Sequence, residues 1–211
     1  MVFTYKYLQE SRYNRLITQR EFFNSMAKKW DTICHHDKDK IQYILSLLNI
    51  HNGAKVLDVG TGTGVLVPFL RKEVGEEGKV IAIDVSEKML EVAQRKYSYN
   101  NVTFVCEDVL EADLPSEYFD FIICYSVFPH FHQKELAIKA ISKYLKIGGR
   151  LAICHSQSRE AINNLHKNAS EAVAEDNLPS IDIIKGYFDD SALETIVEID
   201  NDEMFVIICR K

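Results

Sequence analysis

The sequence predicts an α/β fold, a doubly wound and mostly parallel seven-stranded sheet that ends in an antiparallel hairpin. From residue 55 onward, short strands that are apolar throughout alternate with amphipathic helical segments, as in parallel sheets covered on both faces. The last two predicted strands are separated only by the polar residues DNDE, which are too few for a crossover helix. A glycine-rich turn after the first strand predicts a ligand site at the carboxyl edge of the sheet.

The first fifty residues are predicted to be helical. Apolar residues recur at three- and four-residue steps in 22–33 and again in 40–50, and the turn residues 51–53 end this part of the chain. The total of 211 residues fits a single domain, 1–211. Because the ligand edge of the sheet is otherwise open to water, residues 1–50 are expected to form a lid over it.

The predicted strands and helices after residue 50 follow the alternation in order. The strands are 55–59, 79–84, 102–106, 119–125, 150–155, 193–199 and 204–210, and the helices are 64–74, 86–98, 133–146 and 180–189. The long polar stretch 156–179 interrupts the pattern directly after the fifth strand. We therefore expect it to form a cap insertion at the ligand edge.

Composition and charge exclude several classes of function. The chain has 31 acidic and 25 basic residues, a net charge of -6, which argues against DNA or RNA as a bulk partner. Its apolar runs are far shorter than the ~20 residues that cross a bilayer, and its first residues lack a signal-peptide core. The five cysteines include no C-x-x-C pair and are predicted to be reduced, buried and structural. A cytoplasmic location without nucleic-acid or membrane partners is expected.

Residues at the ends of three successive strands predict an adenosine-shaped ligand. The turn GTGTG carries Gly60, Gly62 and Gly64, whereas a dinucleotide fingerprint needs glycine at position 65, which is valine. Asp84 ends the second strand and can accept both hydroxyls of a ribose, although it or Ser86 could instead cap the following helix. Asp108 follows the third strand and can accept a hydrogen bond from an exocyclic amine.

The segments VLDVGTGTG, AIDVS, CEDV, FDFIICYSVFPHF and LKIGGRLAI resemble the class I S-adenosylmethionine-dependent methyltransferases over about residues 20–155. FFNSMAKKWD resembles the F-x-x-x-A-x-x-[YW]-D helix of their small-molecule, UbiE-like branch. The resemblance implies S-adenosylmethionine as the cofactor and methyl transfer to a small-molecule acceptor by in-line displacement. The cofactor-binding residues that it implies are Trp30, Asp58, Gly60, Thr61, Gly62, Gly64, Asp84, Val85, Met89, Asp108, Val109 and Tyr125.

The acceptor side is predicted from polar residues after the fourth and fifth strands. HSQSR…N..H resembles a branch of small bacterial methyltransferases with the pattern H-S-x-S-R-x-x-x-N-x-x-H. His130 and His155 are the candidate catalytic bases, and the residues expected to share one cleft beside the methyl group are Ser126, His130, His155, Ser158, Arg159 and His166. In the alternative interpretation, Ser156 or Ser158 caps a helix and Arg159 pairs with a surface acid.

Other interpretations remain open at this point. His35 and His36 are interpreted as a solvated surface pair, and no metal site is expected because two histidines without a third ligand are weak evidence. A homodimer is possible. A non-catalytic S-adenosylmethionine-binding module would carry the same binding residues, and only turnover separates it from an enzyme. A nicotinamide-dependent oxidoreductase is disfavoured by Val65 and by the terminal hairpin.

Overall fold

Seven strands form one sheet in this computed structural model, which describes the backbone of residues 2–211 and the side chains of residues 13–211. The strands are β1 (Lys55–Val59), β2 (Lys79–Asp84), β3 (Val102–Cys106), β4 (Phe119–Tyr125), β5 (Leu145–His155), β6 (Glu194–Asp200) and β7 (Phe205–Arg210). Their order is β3-β2-β1-β4-β5-β7-β6. β1 to β5 are parallel, whereas β7 is antiparallel to both β5 and β6. The predicted fold class is confirmed.

Helices cover both faces of the sheet. They are α1 (Val2–Met26), α2 (Trp30–Ile33), α3 (Lys38–Leu48), α4 (Val67–Val74), α5 (Glu87–Lys96), α6 (Lys134–Ile141), α7 (Arg159–Lys167) and α8 (Ile181–Asp189). Successive strand residues enter different hydrophobic clusters: Leu57 and Ile122 belong to one, and their neighbours Val56 and Ile123 to the other. Both faces of the central strands are therefore buried, which explains why these strands are mostly apolar.

The fifth strand begins earlier than the sequence predicts. β5 starts at Leu145, and α6 ends at Ile141 instead of continuing to residue 146. Leu145 pairs with Phe119, and the next pair joins Arg150 to Phe121, so the five-residue step in β5 faces a two-residue step in β4. Gly148 takes a φ of +78° inside this irregular stretch. A bulge of this kind has no periodic signature in the sequence. The prediction therefore wrongly placed the segment LKIGGR partly in a helix and partly in a loop.

The N-terminal segment lies over the carboxyl edge of the sheet. The Nε atom of Arg20 donates to Glu87 at the start of α5 over 3.0 Å, and the Asn24 side chain accepts from the Ser86 hydroxyl over 2.7 Å. The side chains of residues 1–12 of the predicted lid lie outside the described residues. None of the helices described is both long and apolar enough to cross a membrane.

The five cysteines are free thiols. Cys124, Cys154 and Cys209 are buried among the strands, as predicted, whereas Cys34 is half-buried and Cys106 is exposed at the end of β3. The prediction of a buried thiol was therefore wrong for Cys106, because β3 is the outermost strand of its side of the sheet.

Candidate functional site

A cavity lies at the carboxyl ends of β1, β2 and β4, between the sheet and the N-terminal helices. Its lining comes from the strand ends, from the segments that follow β1, β2, β3 and β4, and from α1 and α2. Of the predicted cofactor-binding residues, those that line it are Trp30, Gly60, Thr61, Gly62, Asp84, Val85, Met89, Asp108, Val109 and Tyr125. The fold therefore brings ten of the twelve predicted cofactor-binding residues into one cavity. The exceptions are Asp58 and Gly64.

The glycine-rich loop is held close to the neighbouring strand end. Gly60 and Thr61 both donate their backbone N–H to the Ile83 carbonyl, over 2.8 and 3.1 Å. A Cβ on Gly60 would lie 2.3 Å from Val127, so this position has no room for a side chain. Gly62 takes a φ of +55°, and a Cβ there would meet no atom within 4 Å. The glycine at 62 therefore keeps a space open beside the cavity wall, as a bound ligand requires.

Gly64 and Asp58 support this loop from behind the cavity. A Cβ on Gly64 would lie 3.1 Å from the ring of Tyr97, so this glycine permits close packing of α5. Asp58 is buried and accepts a hydrogen bond from the Thr61 hydroxyl over 2.7 Å. Burial, with a smaller contribution from the Asp84 charge, raises the pKa of Asp58 to about 7.

Asp84 faces the cavity with both carboxylate oxygens in use. Oδ1 accepts the backbone N–H of Ser86 and Oδ2 that of Gly62, each over 2.8 Å. A carboxylate offers about four acceptor positions, so each oxygen retains one for a ligand hydroxyl. Burial raises the pKa of Asp84. The helix cap is Ser86, whose hydroxyl accepts the Met89 N–H over 3.2 Å.

Aromatic residues of the N-terminal helices close the cavity. Trp30 lines it, and its ring meets that of Phe23 edge-on with the centroids 5.6 Å apart. The neighbouring Asp31 accepts hydrogen bonds from the Thr63 hydroxyl over 2.6 Å and from Lys96 over 2.8 Å. α2 is thereby tied both to the glycine-rich loop and to α5.

His130 and Ser126 also line the cavity, after the end of β4. Ser126 takes a φ of +57° and donates its N–H to the Cys154 carbonyl over 2.9 Å. His130 lies on a short 3-10 helix, Phe128–His130, and its Nδ1 is 2.6 Å from Oδ2 of Asp176. The ring centroids of His130 and His166 are 5.0 Å apart. His166 therefore packs against His130 but does not itself line the cavity, so its predicted place in the cleft was wrong.

Like His166, the other predicted acceptor residues Ser158, Arg159 and His155 do not line the cavity. Ser158 caps α7 by accepting the Ala161 N–H, and Arg159 pairs with Asp200 across 2.9 Å at the surface. The expectation that both face the cleft was wrong, because the first turn of α7 faces the β6–β7 hairpin and solvent. The alternative interpretation of these two residues was correct.

His155 is also outside the cavity, behind the strand ends. It is 1% exposed, both ring nitrogens lack a hydrogen-bond partner, and its ring lies against Phe205. Burial lowers the pKa of His155 to about 3. A neutral imidazole sealed in the core cannot exchange a proton with a ligand in the cavity, so its predicted place in the cleft was wrong.

Sequence reasoning missed two functional side chains. His36 lines the cavity, and its Nδ1 is 2.9 Å from the Tyr125 hydroxyl, which is itself 2.8 Å from the Ser156 hydroxyl. His36 is therefore not part of a solvated surface pair. Asp176 accepts hydrogen bonds from His130 and from α1, but it lies in a polar stretch where no periodicity marks it. Only the tertiary contacts identify both residues.

The described part of the chain contains no group of three or more His, Cys, Asp or Glu side chains arranged to hold a metal ion. Polar contacts around the cavity are instead made between protein groups and leave the space beside Gly62 and Asp84 clear. Glycines that avoid a Cβ, and a carboxylate with remaining acceptor positions, fit the ribose and amino-acid portions of S-adenosylmethionine.

Comparisons with known proteins agree with this geometry. A family model described as a methyltransferase domain matches residues 50–201. The chain is 30% identical over 142 residues to the ubiquinone/menaquinone biosynthesis C-methyltransferase UbiE of Yersinia enterocolitica. That match covers 63% of this chain and only 57% of the length of the relative.

Two solved structures share the fold. A SAM-dependent methyltransferase from Aquifex aeolicus is 25% identical, with a TM-score of 0.69 over 88% of this chain and 97% of that one. The YcgJ protein from Bacillus subtilis is 20% identical, with a TM-score of 0.65 over 76% of this chain and 70% of that one. The second likeness concerns the fold alone.

Proposed function

Because the chain belongs to the class I S-adenosylmethionine-dependent methyltransferases, we propose that it transfers a methyl group to a small-molecule acceptor held beneath its N-terminal helices. One observation carries this proposal. A single cavity runs from the glycine-rich loop and Asp84 to His130, and α1 and α2 cover it. The cofactor site and the space beside it are therefore continuous beneath these helices.

The residues around the glycine-rich loop are proposed to hold the cofactor. Asp84 accepts the ribose hydroxyls with the two acceptor positions that its backbone contacts leave, and Asp108 and Val109 lie at the adenine. Thr61 and Gly62 lie at the amino-acid end, with Asp58 and Gly64 supporting the loop from behind. When bound, S-adenosylmethionine supplies an activated methyl group on a positively charged sulfur.

The remaining cavity residues are proposed to bind and orient the acceptor. Phe23, Trp30 and Phe131 supply apolar surface that excludes water, and Ser126 and His130 supply polar atoms at the far end. Positioning alone supplies about 7–11 kcal/mol of the barrier to a well-oriented bimolecular reaction. A small acceptor suits a cavity covered by helices, and the acidic net charge disfavours a nucleic acid.

Binding and turnover test the proposal in sequence. Calorimetry is expected to detect S-adenosylmethionine and S-adenosylhomocysteine but not NAD, and saturation by NAD would contradict the cofactor assignment. Release of S-adenosylhomocysteine is then followed with a panel of phenols, enols, primary amines and thioethers. Binding of S-adenosylmethionine without release for any of these classes would favour a non-catalytic binding module and reject methyl transfer to small molecules.

A further inference from the structure

We propose that Asp176 is a positioning residue for methyl transfer: it orients His130 so that Nε2 takes a proton from an acceptor bearing O–H, N–H or acidic C–H. This inference rests on the proposed function and deepens it by naming the acceptor class. The observation that carries it is a buried carboxylate of the cap that accepts hydrogen bonds from the N-terminal helix α1 and from the loop after β4.

Asp176 is the centre of a group of side chains that we name the Asp176 cluster. Its other members are Arg15, Gln19, His130 and His166. The Asp176 side chain is 2% exposed and accepts from Arg15 over 2.6 Å, from Gln19 over 3.0 and 3.2 Å, and from His130 over 2.6 Å. A carboxylate with three such donors is ordered, and its orientation is set from three sides.

Asp176 is ionised despite its burial. Burial by itself raises the pKa of an aspartate, but the hydrogen bonds from His130 and Arg15, together with the charge of Arg15, outweigh it and lower the pKa of Asp176. An anionic carboxylate only accepts hydrogen bonds, so Nδ1 of His130 must carry the hydrogen that it shares with Oδ2. In the neutral ring the lone pair is then on Nε2.

The remaining nitrogen of His130 is available to a bound molecule. Nε2 has no partner among the described side chains, it is not one of the buried unpartnered atoms, and the residue lines the cavity. Phe23 meets the His130 ring edge-on at 5.1 Å, and His166 packs on it at 5.0 Å. These neighbours and the Asp176 bond fix the plane of the ring.

Two further contacts hold the partners in place. The Nδ1 atom of His166 is 3.0 Å from the backbone carbonyl of Asp176, which ties α7 to the end of the cap segment. Lys134 donates to the carbonyls of Pro129 and Phe131 over 3.0 and 2.8 Å, which holds the loop on either side of His130. The positions of both the carboxylate and the imidazole are thus specified independently of any ligand.

The chemistry that this arrangement supports is proton removal coupled to methyl transfer. The acceptor atom forms a bond to the methyl carbon, the carbon–sulfur bond breaks, and its electron pair stays on sulfur. The acceptor's proton passes to Nε2 of His130, and Asp176 balances the charge of the imidazolium. A thioether or tertiary amine has no proton to lose and would gain nothing from this pair of residues.

Asp176→Asn tests the inference, with Glu175→Gln as the matched control. Glu175 also pairs with Arg15, over 2.9 Å, but its side chain is 82% exposed and makes no contact with His130. In Asp176→Asn we expect kcat for a protic acceptor to fall about 10²-fold or more with S-adenosylmethionine affinity within twofold, as general-base catalysis is worth that much. In Glu175→Gln both quantities are expected to match the wild type.

Nitrogen-15 NMR of histidine-labelled protein gives a readout without an acceptor. We expect one His130 tautomer, with the proton on Nδ1, in the wild type and in Glu175→Gln, and a mixture in Asp176→Asn. An unchanged tautomer with reduced kcat would indicate only structural damage and overturn the inference. An unchanged kcat overturns it whatever the tautomer.

His130→Asn keeps the inference testable if Asp176→Asn does not fold. The asparagine amide can still donate to Asp176 in place of Nδ1, but it lacks Nε2. We expect full cofactor affinity and loss of transfer to protic acceptors; transfer at the wild-type rate would overturn the inference. If the wild type binds the cofactor but releases no product with any acceptor class, the proposed function is wrong. The inference, which rests on that function, is then wrong as well.

Discussion

Replacing Asp84 with alanine gives the sharpest test of the cofactor site. The substitution removes the carboxylate whose two remaining acceptor positions face the cavity, beside the bonds to Gly62 and Ser86. A hydrogen bond to a charged group is worth about 1.5–3 kcal/mol. Water entering the vacated space can restore one of the two ribose bonds, so we expect the net loss of one bond, about 1.5–3 kcal/mol or roughly ten- to 150-fold in affinity.

Isothermal titration with S-adenosylmethionine measures this loss, and urea unfolding reports whether the variant is folded. Glu87→Gln is the control, because Glu87 is half-exposed on α5, pairs with Arg20 at the surface and does not line the cavity. Its affinity should equal that of the wild type. Protonation of Asp84 also removes the acceptor, and burial raises its pKa, so wild-type affinity should fall on acidification above the usual aspartate range. A folded Asp84→Ala with affinity within twofold of wild type would refute this role.

Three more predictions concern other parts of the chain. Burial raises the pKa of Asp58 from 3.8 in the unfolded chain to about 7 in the folded protein. Between these two pH values the folded protein holds a proton that the unfolded chain has released, so wild-type stability falls as pH rises through this window, by up to about 4 kcal/mol. Asp58→Asn should therefore gain stability over wild type between pH 5 and pH 8 in urea unfolding, and parallel pH profiles would contradict this. Trp30 is the single tryptophan and lines the cavity, so its fluorescence should change on adding S-adenosylhomocysteine, and an unchanged spectrum would place it away from the ligand. Arg159→Ala removes only a surface pair with Asp200, so it should leave cofactor affinity unchanged and lower the free energy of unfolding by at most about 1 kcal/mol. A measurable loss of cofactor affinity would indicate that Arg159 contributes to the site.

The sheet was predictable from the sequence because its determinants are local. The first four strands begin and end where the apolar runs do, since each run is bounded by turn residues and the runs of β1 and β4 are buried on both faces. The hairpin of β6 and β7 followed from the short connection between them. Gly60, Gly62 and Asp84 were identifiable because a strand end followed by a glycine-rich turn occupies one place in such a sheet.

The acceptor side depended on contacts between residues far apart in the sequence. Helical spacing placed Arg159 and His166 on compatible faces of α7, but it could not show that the start of this helix faces the hairpin. His155 ends a strand at the ligand edge, yet the alternation of the strand turns its ring into the core.

The residues that complete the cavity come from segments without periodic patterns. Asp176 meets Arg15 and Gln19 across more than 150 positions, and His36 meets Tyr125 across 89. The sequence by itself determined the sheet and the cofactor edge, because burial and turn chemistry are encoded in neighbouring residues. Only the tertiary structure decided which polar side chains of the lid and the cap meet at His130, because long-range packing selects those partners.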